Sequence, residues 1–432
     1  MARHTPPQVL VERALALVPD SEEFLPLSDA VIGASQLDRE KLWAGSGQYA
    51  TLGKRVVSAE EVGELIPRIV EKTQQRLKEL FSLVLEAIQQ QHRGDLTGAA
   101  RTLIRAGGIE EGDGRLDKAE KLYGMALDIS RDLREKGPQL AALRRLGRTA
   151  RSAFKLDEAW SWYQQAYDLA VDQLDPAAQA EACLGLGNLC DDRGQRDEAR
   201  SWSERGLRLA LALEDVSLEW RFLANLSVFA VHRGELAEAD AMLERARERI
   251  VAMGDDEALP FWYNNRALLL LEAGDVEGAE AALREALGRG QPPMWELTMR
   301  VNLGDALVRQ GRLFEAAEEA RRAEELAILN RFVPDLVDVY VLLGSIARAR
   351  CDEEGFVFYE QALSVCHERG LPRKTEASIL HGYGLLHAGC GRPAEARAYL
   401  ETASDIYREL GFAPELEKVR ADLEGLEAKA TA

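Results

Sequence analysis

Cysteine is scarce in this chain and follows no pattern. The five residues are Cys183, Cys190, Cys351, Cys366 and Cys390, an odd number with no CxxC pair. That argues against a disulfide framework and for free thiols in a reducing compartment. No apolar run reaches 18 residues, so no membrane-spanning helix is expected. Positive charge is outnumbered: 54 Lys and Arg face 73 Asp and Glu, a formal net charge of −19. Such a balance disfavours nucleic-acid partners and anionic membrane surfaces. The opening "MARHTPPQVLVERALALVPD" has its apolar run broken by Glu12 and Arg13, unlike a secretory signal. The expected location is the cytoplasm.

Catalytic signatures are missing too. There is no Walker loop, GxSxG elbow, HExxH pair or EF-hand loop. "GGIEEGDG" (107–114) is glycine-rich but carries no lysine and follows no strand. His381, His387 and Cys390 are near in sequence, yet their spacings suit no single coordination face. No nucleophile–base pair can be argued. The expectation is a protein that is not an enzyme, with no cofactor and no metal.

What the chain does contain is a repeat. Hydrophobic residues make up 46% of 432 positions, enough for a large core. "GELAEADAML" (234–243) and "GDVEGAEAAL" (274–283) share a glycine, an alanine five residues on, and another seven further. The first alanine position runs Ala119, Ala159, Ala199, Ala239, Ala279, Ala316, Gly355, Ala396, in steps of 40, 40, 40, 40, 37, 39 and 41. The second runs Ala126, Ala166, Gly206, Ala246, Ala286, Ala323, Ala362, Ala403. A third small position precedes each pair: Gly107, Gly147, Gly187, Ser227, Ala267, Gly304, Gly344, Gly384. Eight copies point to eight helix–turn–helix units that bury their apolar faces only by stacking. Gly114, Gly194, Gly234, Gly274, Gly311 and Gly391 mark the turns, with Phe154 in that place in the second copy and a shorter turn around Cys351 in the seventh.

This small–glycine–alanine–alanine series, with an aromatic residue or leucine between the alanines, resembles the tetratricopeptide repeat. The resemblance covers residues 97–412. A period near 40 instead of about 34, and no proline after the second helix, imply longer helices. That is similar to the long-repeat variants in kinesin light chains, polarity adaptors and bacterial peptide-sensing regulators. The implied fold is an all-α, right-handed superhelical solenoid. Around it, residues 1–57 read as an irregular or helical extension, with "SGQYATLGKRVVS" irregular. Residues 58–96 read as a long helical segment opened by the capping box "SAEE", with Pro67 beginning or kinking its second part. Residues 413–432 read as a polar amphipathic helix capping the last repeat. No helix-turn-helix DNA reader is found in the first 60 residues.

A helix turns about 100° per residue. With each unit's first small residue at zero, positions −4 and +3 form the core stripe, while −2 and +1 lie on the opposite face. Cys183, Cys190, Tyr263 and His387 fall on the core stripe. Asn225, Asn265 and Asn302 stand at −2 in three successive units, and Asn188 at +1 in the unit before. In the resembled family this face lines the concave groove, and asparagines there hold the backbone of an extended peptide, offering donor and acceptor together. The other open reading is that they bond to each other or to neighbouring helices. Asn264, at the edge, has no equivalents. Arg144, Arg148 and Arg151 share a face of the second unit's first helix, beside Arg145; Arg101, Arg105 and Arg221 lie similarly in the first and fourth units. They suit a partner with carboxylates or a free C-terminus, or pairing with Glu181, Asp191 and Asp192. Phe261 lies on the groove side, to seat a ligand side chain or fill the space between units.

The expected function is therefore binding of an extended peptide or partner-protein segment by an adaptor or regulatory scaffold. An alternative is a bacterial signal-peptide-responsive regulator whose superhelix changes shape on binding. An enzyme subunit with its activity in residues 1–95 is the outlying reading, since that region has no paired catalytic motif.

Overall fold

The structure is a computed structural model, and it describes residues 49–52, 55–290, 292–330 and 332–431. The expectations for "PQVLVERALALV" and "SQLDREKLWAG" fall outside the described residues. By internal contacts the chain divides into two compact units, residues 1–149 and 150–432.

The first unit opens with β1 (Tyr49–Leu52) and β2 (Arg55–Ser58), paired antiparallel with Tyr49 opposite Ser58. This corrects the irregular reading of "SGQYATLGKRVVS": a β-branched "RVV" can pair once a partner strand is brought alongside. Helix α1 (Ala59–His92) follows, with Pro67 inside its helical span. It packs on α2 (Leu96–Gly112), which pairs with α3 (Leu116–Leu133). Arg76 of α1 is 5% exposed and holds both oxygens of the fully buried Glu110, at 2.8 and 2.9 Å. Burial pushes the Glu110 carboxyl up, and Arg76 opposes that shift. Helix α4 (Lys136–Ser152) carries the division between the units.

The second unit continues the series. Its helices are α5 (Leu156–Asp172), α6 (Pro176–Asp192), α7 (Arg196–Ala212), α8 (Val216–His232), α9 (Leu236–Met253), α10 (Leu259–Glu272), α11 (Val276–Leu287) and α12 (Pro293–Arg309). They are followed by α13 (Leu313–Asn330), α14 (Leu336–Arg350), α15 (Glu354–Arg369), α16 (Arg373–Gly389), α17 (Pro393–Leu410) and α18 (Ala413–Thr431). The architecture is an all-α solenoid of stacked helical hairpins, with the short β pair outside the repeats.

The local causes are readable. Asp95, Asp175, Asp215 and Asp275 each accept a hydrogen bond from a backbone N–H three residues on, capping helix starts. Each such cap is worth roughly 1 kcal/mol. Turns need a left-handed residue, and where glycine is absent another residue takes that conformation: Phe154 and Cys351 both have φ 57°. Every alanine in the two series is fully buried. A small side chain there lets helix axes approach closely, and larger residues such as Tyr123, Leu243, Leu283 and Tyr359 fill the space between. One cluster joins Ala267, Leu283, Leu303, Ala316 and Leu342, so a single core runs through three successive repeats. At the end of the stack, Leu416 and Val419 of α18 pack with Leu400, Ala403 and Tyr407. Cys183 and Cys190 are fully buried, and burial pushes both thiols up to about 11, so they act as small apolar groups. His387 is buried too, while Tyr263 is partly buried between two clusters.

Candidate functional site

The first helices of neighbouring repeats touch: α6 with α8, α8 with α10, α12 with α14, and α14 with α16. Their half-buried asparagines make a directional ladder. The Asn225 amide donates to Asn188 Oδ1 at 2.7 Å. Asn265 donates to the Ala224 carbonyl oxygen at 3.3 Å. Asn302 donates to Asn264 Oδ1 at 2.9 Å. Each amide of the later helix reaches back to the earlier one. Asn264, which seemed alone in the sequence, is thus half of a pair, and that reading is corrected. The carbonyl oxygens of Asn225, Asn265 and Asn302 receive no protein donor among the described residues, and the Asn188 and Asn264 amide groups keep their donors. Two Asn–Asn bonds and one bond to a backbone carbonyl hold the row in place while it retains capacity for a further partner.

The arginines meet carboxylates. In the first unit Arg148 grips Glu111 through Nε at 2.5 Å and Nη2 at 2.6 Å, and Arg145 stands 3.6 Å from the same group. Glu111 also accepts from the Tyr123 hydroxyl at 2.7 Å. Burial, then the Glu111 charge, push the Tyr123 phenol well above its ordinary range. Arg105 lies 3.7 Å from Glu86, Arg101 is exposed, and Arg144 is half-buried. In the second unit Arg151 pairs with Asp192 at 3.1 Å, and Arg221 with Glu181 at 3.4 Å. Two of these partners, Glu181 and Asp192, are among the three carboxylates the sequence suggested. Glu111 was not, because nothing in a linear reading says which residue of α2 faces α4.

Phe261 lies between two tryptophans, 4.3 Å from Trp295 and 6.4 Å from Trp220, centroid to centroid. This is a filler between repeats that stays partly open, with Trp295 37% exposed. The Trp220 indole N–H is buried without an acceptor among the described residues. One further feature escaped the sequence reading. Asp335 and Asp338, at the start of α14, form no ion pair among the described residues. Burial, then the neighbouring Asp338 charge, push Asp335 up to about 7. Burial alone pushes Asp338 up to about 6, although it remains exposed and water screens the effect. Its position six before Gly344 matches Phe261's position six before Ala267, a register that could have flagged it.

Hairpins of this length, with small residues at fixed points and a polar row along the first helices, define a tetratricopeptide-type solenoid. A tetratricopeptide-repeat model matches residues 180–205, 220–245, 263–285 and 377–402. These segments fall in the third, fourth, fifth and eighth hairpins, which are therefore similar to tetratricopeptide repeats. No curated protein matches it. Among solved structures it is similar to a Rap protein complexed with competence and sporulation factor, at 13% identity and TM-score 0.54, over 85% of this chain and 98% of that one. It is also similar to the Rap conjugation gene regulator of the plasmid pLS20 in complex with the Phr* peptide, at 15% identity and TM-score 0.56, over 78% and 96%. At these identities the likeness shows the shared fold. Among the described residues no helix is long and apolar enough to cross a membrane, and no group of three potential metal ligands occurs.

Proposed function

We propose that this chain is a non-catalytic regulatory scaffold that binds an extended peptide, or a segment of a partner protein, along the first-helix face of its third to sixth repeats. The observation that carries the reading is the row Asn188, Asn225, Asn264, Asn265 and Asn302. Asn225 with Asn188, and Asn302 with Asn264, brace each other, and Asn265 is held by the Ala224 carbonyl, yet all five keep acceptors or donors at successive positions. An extended backbone presents alternating N–H and C=O groups, and carboxamides can meet both without reading side chains. Bracing lowers the ordering cost of binding. The aromatic row at Phe261 offers an apolar seat. Two of the solved structures it resembles are complexes, one with the Phr* peptide and one with competence and sporulation factor, which supports a regulator that responds to a peptide.

Arg148 and Arg151 remain proposed contacts of lower weight, because a ligand carboxylate must displace Glu111 or Asp192 to reach them. The cytoplasm remains the proposed location. The test is affinity capture with wild type and with a folded Asn225→Ala/Asn265→Ala/Asn302→Ala variant. Partners lost from the variant alone are the ligands of this face. A folded variant that retains every partner would falsify the role of the asparagines.

A further inference from the structure

The C-terminal helix does more than cover the last repeat. Phe412, in the joint before α18, is 1% exposed. The Arg196 guanidinium lies 4.3 Å from its ring centroid and donates to Glu415 Oε1 at 2.7 Å. Arg196 opens α7, in the third repeat, 219 residues before Glu415. Lys374, at the start of α16, stands 5.0 Å from the same ring. A side chain at Gly194 would put its Cβ 2.7 Å from Phe412, so the turn before α7 is shaped to the ring as well as to its own φ of +76°. Beyond this point Lys418 of α18 faces Glu272, the last residue of α10, at 3.9 Å. The charges complement one another along the contact: Arg196 with Glu415, then Glu272 with Lys418. Burial alone would raise the Glu415 carboxyl, but the hydrogen bond from Arg196, a backbone hydrogen bond and the Arg196 and Lys374 charges together outweigh it and hold the group below its ordinary range.

Stacked hairpins need only nearest-neighbour contacts to be stable. A bond from the third repeat to the helix after the eighth is not required by stacking. We propose that Arg196, Phe412 and Glu415 form a latch that closes the second unit on itself, so that α18 sets how far repeats three to eight can spread. A charge-assisted hydrogen bond and a cation–π contact suit this role, since they form and release without exposing a large apolar core. The latch stands whatever the ligand of the first-helix face proves to be.

The experiment uses the full chain in three forms, Arg196→Glu, Glu415→Arg and the double swap, with circular dichroism to verify helix content. Glu415→Gln, which keeps the side-chain shape, is a milder fourth form. Small-angle scattering reads the radius of gyration, and hydrogen exchange reads the amides of α18 and of residues 193–195. Each single change should enlarge the radius and raise exchange there about tenfold, as the loss of one charge-assisted bond would. The swap should restore most of both, since it returns the ion pair but not the Arg196 cation over Phe412. Unchanged scattering and exchange in the folded single variants, or an opening that the swap leaves in place, overturns the latch.

Discussion

Gly206→Ala separates the repeat pattern from the packing. Position 206 is the second small site of its repeat, and the seven equivalent sites all carry alanine. On pattern alone the change should stabilise, because alanine in a helix interior is better than glycine by about 1 kcal/mol. The structure reverses the sign. A Cβ at 206 would lie 2.8 Å from Phe222 Cε2 and closer still to Cζ and Cε1 of the same ring. Phe222 is fully buried, so the ring cannot swing into solvent, and it occupies the volume a methyl group would need. Forcing extra atoms into such a site costs about 1–3 kcal/mol, and a clash with three ring atoms belongs at the upper end. After the propensity gain, a net loss of about 1–2 kcal/mol is expected. Gly124→Ala is the control, since it is also helical but has nothing within 4 Å of the added carbon. It should gain the propensity term alone. Thermal melts followed by circular dichroism should show the midpoint falling for Gly206→Ala and rising for Gly124→Ala. Adding Phe222→Leu to Gly206→Ala should cost less than the sum of the two single changes, because the pair shares one volume. If Gly206→Ala melts higher than wild type, the packing argument is wrong.

Two predictions concern pH. Asp335 has its folded pKa raised to about 7 from 3.8, so the folded state favours the protonated acid. Its contribution is fully present below pH ~4 and is lost as pH rises towards 7. Asp335→Asn should therefore unfold at higher urea than wild type at pH 8, by ~2 kcal/mol after screening, and equally at pH 3.5; a constant difference across that range would remove the electrostatic cause. His387 is 6% exposed, and both ring nitrogens lack hydrogen-bond partners among the described residues. Burial, then Arg392, lower its pKa. As pH falls through about 6.5, the unfolded chain protonates first and wild type loses stability. His387→Leu should add about 1 kcal/mol near pH 7.5 by removing unsatisfied nitrogens, and more at pH 5. Equal urea midpoints for the two proteins at pH 5 would count against it.

The five asparagines show how far a helical wheel reaches. Counting residues placed Asn188, Asn225, Asn265 and Asn302 on one face, because the period of a single helix is known in advance. It could not pair Asn302 with Asn264 or Asn225 with Asn188. Those bonds depend on the axial offset between neighbouring helices, which the side chains of both set together. The β pair was missed for a related reason: four-residue strands have little period of their own and form only against a partner.

The sequence by itself determined the repeat. Spaced small residues force helices into close pairs, turn glycines end the helices at set points, and a face that cannot be buried alone must stack. Those are local and nearest-neighbour constraints, so they leave a periodic mark in the chain. The tertiary structure alone decided that Phe222 fills the space beside Gly206, that Glu111 faces Arg148, and that Arg196 meets Glu415 across 219 residues. Such contacts follow from small rotations accumulated from one hairpin to the next, and no single repeat encodes their sum.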